Sequence, residues 1–259
     1  MLTATVLPEV PMPLDHPRLL TPIAIALVAS TLIGAGTVVF LRTRDTRSIE
    51  VTGSAKRRIV SDLIEWTAIL QANAGNRVAS AQDLKASIEK TRAYLIAQGV
   101  TADEMRVGSA SVDELFEQRV EGHGEDRVER SVSTGWQGRQ SITVRSPDVT
   151  KIERVSREVT SLLEQGLALS SEQPTYFYTR LADLKVEMLA EASKDARTRA
   201  EQMVGAAGGG SIGKLTNADM GVINVNPANS TNTNWQGNND TTTLEKDILT
   251  IVHITFELR

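Results

Sequence analysis

The stretch from Leu181 to Leu215, LADLKVEMLAEASKDARTRAEQMVGAAGGGSIGKL, constrains the fold most, because it joins a long helical pattern to an explicit stop. Leu181, Leu184, Met188, Ala192, Ala196, Ala200, Met203 and Ala207 recur three or four residues apart and so line one helix face. Glu187, Glu191, Lys194, Asp195, Arg197 and Glu201 occupy much of the remainder, as a helix wetted on its other side requires. An apolar face made mostly of alanine lets a helix lie close against what it covers, and the surrounding β-branched segments make a sheet the expected partner. Gly208, Gly209 and Gly210 then end it, since glycine tolerates the left-handed cap conformation.

Gly208 to Lys214 also reads G-x-x-x-x-G-K, close to a phosphate-binding P-loop. Leu215 stands where a hydroxyl must reach magnesium, the glycines follow a helix instead of a strand, and Thr216 to Val225 has strand character. A helix cap and turn account for the glycines.

The run A-E-A-S-K-D-A-R-T-R-A-E-Q-M-V-G-A-A-G, with Ala190, Ala196, Ala200 and Gly208 and then Ile212-Gly213-Lys214, resembles the alanine-spaced helix and glycine exit of the SIMPL domain. Ile49 to Ala55 with Ser61-Asp62 looks like that family's opening strand and turn, and Asp247 to Leu258 like its closing strand. The likeness covers Ser48 to Arg259 and rests on small and apolar residues, so it implies a fold more than an activity. The family includes bacterial envelope proteins linked to oxidative-stress defence, an immunogenic periplasmic antigen and a eukaryotic kinase-associated signalling protein, and a periplasmic member forms a ring with a channel-like centre. The resemblance therefore implies a periplasmic, self-associating domain.

Residues 1–18 carry Pro8, Pro11, Pro13 and Pro17 and read as an N-terminal tail. Leu19 to Leu41 follows without a charge, and at ~1.5 Å per residue it is long enough to cross the hydrocarbon core of a bilayer. An uncleaved transmembrane anchor is expected there, with a cleaved signal peptide as the alternative. Residues 42–47 form a linker. Arg42, Arg44 and Arg47 follow the segment and only Arg18 precedes it, which by the positive-inside rule favours a cytoplasmic domain. The resemblance favours the opposite side of the inner membrane.

Beyond the linker, residues 48–259 read as one α+β domain of antiparallel or mixed sheets with helices packed on one face. Strands are expected at Arg47 to Gly53, Leu63 to Ala72, Met105 to Gln118, Arg127 to Arg145, Thr175 to Thr179, Thr216 to Val225 and Asp247 to Leu258. A second helix carries Val78, Ala81, Leu84, Ile88 and Leu95, and a third starts at Pro147-Asp148 with Val149, Ile152, Val155, Val159, Leu162 and Leu163 inward. Residues 224–243, NVNPANSTNTNWQGNNDTTT, make a polar loop without a core of its own.

Chemistry is sparse. The net charge of -4, with no basic stripe, argues against a nucleic-acid partner. With no cysteine, disulfides and thiolate metal sites are excluded. His123, in Glu121-Gly122-His123-Gly124-Glu125-Asp126, has acid-base neighbours but sits at a glycine-flanked hairpin tip, where a catalytic group lacks rigid support. His16 lies in the tail and His253 on the more polar face of a strand. No catalytic, cofactor or metal residue is assigned. Trp235, alone in its loop, and the tyrosines Tyr176 and Tyr178 are the candidate interface residues. The expected function is a membrane-anchored homo-oligomer with a non-enzymatic scaffold, binding or stress-defence role. The alternatives are a ring-shaped pore and, third, a hydrolase using His123 with Glu125 or Asp126.

Overall fold

The chain from Ser48 to Val60 is strand β1, and after Ser61-Asp62 it continues as β2, Leu63–Ala74. The two strands do not pair; they enter different sheets. These relationships come from a computed structural model that describes residues 47–121 and 127–259. The tail, the anchor expected at 19–41, the linker up to residue 46, His16 and residues 122–126 with His123 lie outside the described residues. No helix among the described residues is long and apolar enough to cross a membrane.

Helix α1 spans Arg77–Ala97, with the Asn76 side chain accepting a hydrogen bond from the Ala79 N–H as its N-cap. A short 3-10 turn leads to β3, Met105–Val107, then β4, Ser111–Glu121, and β5, Val128–Ser146. Helix α2, Val149–Glu158, is capped by Asp148 and tightens into a 3-10 helix over Val159–Gln165. Strands β6, Ala168–Ser171, and β7, Thr175–Phe177, precede helix α3, Leu181–Ala206. Strands β8, Ile212–Pro227, and β9, Glu245–Leu258, close the chain.

All pairings between these strands are antiparallel. One sheet runs β1-β9-β8, with α3 packed mainly along β1 and β9. The other runs β3-β5-β2-β6, with β4 beside β5 and β7 beside β2, and α1 and α2 on its face. Each sheet has its own core. Ile64, Trp66, Leu70, Ile142 and Val144 meet Leu84, Leu95, Ile152 and Leu162 in one, and Val51, Ile248, Val252 and Ile254 meet Met188, Ala192 and Ala196 in the other. The α+β class is as the sequence implied; the division into two sheets with separate helix layers is new.

Several expectations shift. Met105 to Gln118 is two strands, because the chain leaves the ladder after Gly108, whose N–H still donates to the Ser141 carbonyl and whose own carbonyl is taken by the Gln140 side chain. On α3 the buried residues are Leu184, Met188, Ala192, Ala196, Ala200 and Val204, every fourth position, while Met203 is exposed. A four-residue row is inclined to the helix axis, so the buried stripe winds and reaches Val204 where a constant face would have reached Met203. After Glu158 the tighter 3-10 spacing keeps Val159 and Leu162 inside and turns Leu163 outward. Strand β6 gave no clear pattern in the sequence, being only four residues long. Gly208 and Gly210 adopt positive φ at the end of α3, and the chain passes directly into β8, as a cap and turn require.

Candidate functional site

Three features stand out: a buried ionic junction, a cleft at the start of α3, and strand edges that carry exposed apolar side chains. The junction forms where β9 enters its sheet. Lys246 is 1% exposed, and its ammonium donates to Asp240 at 3.1 Å and to the Thr243 carbonyl at 2.5 Å. Asp240 also accepts from the Thr242 N–H at 3.0 Å, from the Thr242 hydroxyl at 2.7 Å and from the Thr243 hydroxyl. Burial alone would push the Asp240 carboxyl up, but these hydrogen bonds outweigh it and hold it well below the usual carboxylate range.

Next to it, buried Asp247 receives Arg58 at 2.9 Å and 3.2 Å, Lys56 at 3.0 Å and the Asn229 N–H at 2.8 Å. The Arg58 hydrogen bonds, against the opposing effect of burial, hold its carboxyl well below the usual range. Two carboxylates so fully engaged act as fixed acceptors, and a carboxylate held far below neutral pH is a weak general base. The loop expected at 224–243 starts later, since β8 extends to Pro227, and it is ordered by buried asparagines. Asn224 accepts from the Asn234 N–H, and Asn226 donates to the Asn232 carbonyl and accepts from Asn238.

The cleft, about 520 Å³, is lined by Arg57, Arg58, Tyr178, Arg180, Asp183 and Glu187 among others. Arg57 is held by Glu187 at 2.6 Å and by Glu191, and the Arg180 guanidinium lies 5.8 Å from the centre of the Tyr178 ring. Arg58 is drawn to Asp247 outside the cleft, so among the described residues only Arg57 of the three arginines is paired with an acid of the lining, Glu187.

The strand edges differ sharply. The free side of β1 is covered by α3, whose Asp195 accepts from the Ser54 N–H at 2.8 Å. The free side of β8 is overlaid at Val225, which exchanges hydrogen bonds with Asn238 and Asp240, and its register slips at three places. Among the described residues strand β4 pairs only with β5, and beyond Gly135 the two form a ribbon that extends past β2. On that ribbon Phe116, Val120 and Val128 are exposed by 60%, 50% and 51%.

Trp235 is 91% exposed at the apex of the asparagine loop. Tyr176 is buried, its hydroxyl donating to Glu153 at 2.6 Å, and Tyr178 is half-buried against the second core. The structure therefore does not bring the three aromatic candidates to one exposed surface. His253 faces away from α3, with Nδ1 3.1 Å from the Thr52 hydroxyl. Among the described residues no three His, Cys, Asp or Glu side chains gather as a metal site. The Lys246–Asp240 pair carried no signal in the sequence, where Lys246 stands between Glu245 and Asp247 in a charged run just ahead of the apolar part of the closing strand.

A family model described as SIMPL, protein of unknown function (DUF541), matches residues 49–247. No curated protein matches the chain.

Proposed function

Because the chain belongs to the SIMPL family, a family of unknown function, we propose from its architecture that it acts by assembly. In this reading residues 19–41 anchor it in the inner membrane, residues 48–259 stand in the periplasm, and copies associate into a non-enzymatic envelope scaffold with a stress-defence role. The observation that carries the reading is the projecting β4–β5 ribbon, an unpaired strand edge with large apolar side chains in water. The ion pairs of the junction add support of a different kind, because they tie the asparagine loop to β9 and hold the Asp240 and Asp247 carboxyls well below the usual range.

Mass measurement of the detergent-solubilised full-length protein, with and without residues 1–46, tests it. Oligomers in both forms are expected, with membrane retention lost in the shorter one. A monomer at every concentration, or a turnover that depends on His123, would remove the proposal. Protease accessibility in intact cells and in spheroplasts tests the side of the membrane.

A further inference from the structure

Resting on that reading, the geometry points to residues Phe116–Val120 of β4 as the contact, paired antiparallel with the same segment of a second copy across a two-fold axis at Gln118. The segment lies on the regular part of the strand: the bulge falls between Leu115 and Phe116, and from there the register with β5 is continuous. Phe116, Gln118 and Val120 share one face, and Glu117 and Arg119 share the other.

Antiparallel pairing about Gln118 sets Phe116 opposite Val120 of the second copy, Glu117 opposite its Arg119, and Gln118 opposite itself. Every position then meets its complement. Two exposed apolar pairs are covered, two opposite charges face each other on each side of the axis, and the open N–H and C=O groups of β4 find partners. In the single copy, among the described residues, Glu117 and Arg119 form an ion pair with each other at 3.4 Å, and both are more than half exposed. That contact is replaced across the interface by two equivalent ones. The result is an isologous, closed contact, which blunts an edge that would otherwise template open-ended growth.

The absence of cysteine makes the register directly readable. In antiparallel pairing, facing Cα atoms stand about 4.5 or 5.5 Å apart, within the span of a disulfide. Full-length Gln118→Cys in mild detergent is expected to form covalent dimers on oxidation, and Arg119→Cys far less, its symmetry mate being displaced along the strand. Glu117→Arg is expected to weaken association about tenfold or more, and the double variant Glu117→Arg/Arg119→Glu to restore it. If the wild-type protein associates but Gln118→Cys does not cross-link, or the double variant fails to recover, this register is wrong and self-association stands. If the wild-type protein is monomeric, both fall. Circular dichroism of each variant confirms that the folded protein is being compared.

Discussion

A Cβ atom placed on Gly53 would stand 2.6 Å from the Cβ and from the backbone nitrogen of Ala196, so β1 and α3 are in near backbone contact there. This approach explains the alanine face: Ala192, Ala196 and Ala200 are fully buried because nothing larger fits between the helix and the sheet. Gly53→Ala is expected to cost about 1–3 kcal/mol or more, since backbone atoms must move apart. Adding Ala196→Gly should not rescue it, because the contact with the helix backbone remains. Denaturant melts of the three forms check both statements.

Lys246 and Asp240 form a second relationship that single substitutions should expose. Lys246→Met leaves the Asp240 carboxylate with hydroxyl and amide donors but no cation, at an expected cost of about 3–5 kcal/mol. Lys246→Met combined with Asp240→Asn should be less destabilised than Lys246→Met alone. A double-mutant cycle in urea measures the difference.

Acid should weaken the fold through Asp240 and Asp247. Both carboxyls are held below their usual range in the folded chain, so the unfolded chain takes up protons first. The stability they contribute is full above the ordinary carboxylate range near pH 4 and is lost progressively as pH falls below it. Unfolding free energies at pH 7 and pH 3 should differ in that direction, and less so in Asp247→Asn.

Alkali should act on Tyr176. Burial, with the hydrogen bond to Glu153, pushes its phenol up to about 12 from an ordinary value of 10.0. Between these values the folded chain keeps a proton that the unfolded chain has released, so stability falls as pH rises through that window. Tyr176→Phe should remove this part of the fall, read as flatter unfolding free energy from pH 10 to 12.

Trp235 should contribute little to the isolated fold. At 91% exposed it has almost no surface to lose on truncation, and Trp235→Ala is expected to change stability by less than about 0.5 kcal/mol. Thermal melts check this, and a blue shift of its emission on raising protein concentration would show it covered by another copy.

The amino-acid pattern by itself determined the elements whose signal is local. The long helix announces itself through alanines and charges three and four apart, β2 and β9 through alternation, and the end of α3 through consecutive glycines. It also determined what chemistry is missing, since a chain without cysteine has neither thiolate ligands nor disulfides. Only the tertiary structure decided which strands pair, that Ser61-Asp62 carries the chain from one sheet into another, and that Lys246 meets Asp240 while Arg58 meets Asp247. Periodicity reports which face of a segment avoids water and says nothing of the segment it avoids water with. The open edge of β4 was equally out of reach, because an unpaired strand and a paired one share the same alternation and differ only in what folding brings alongside.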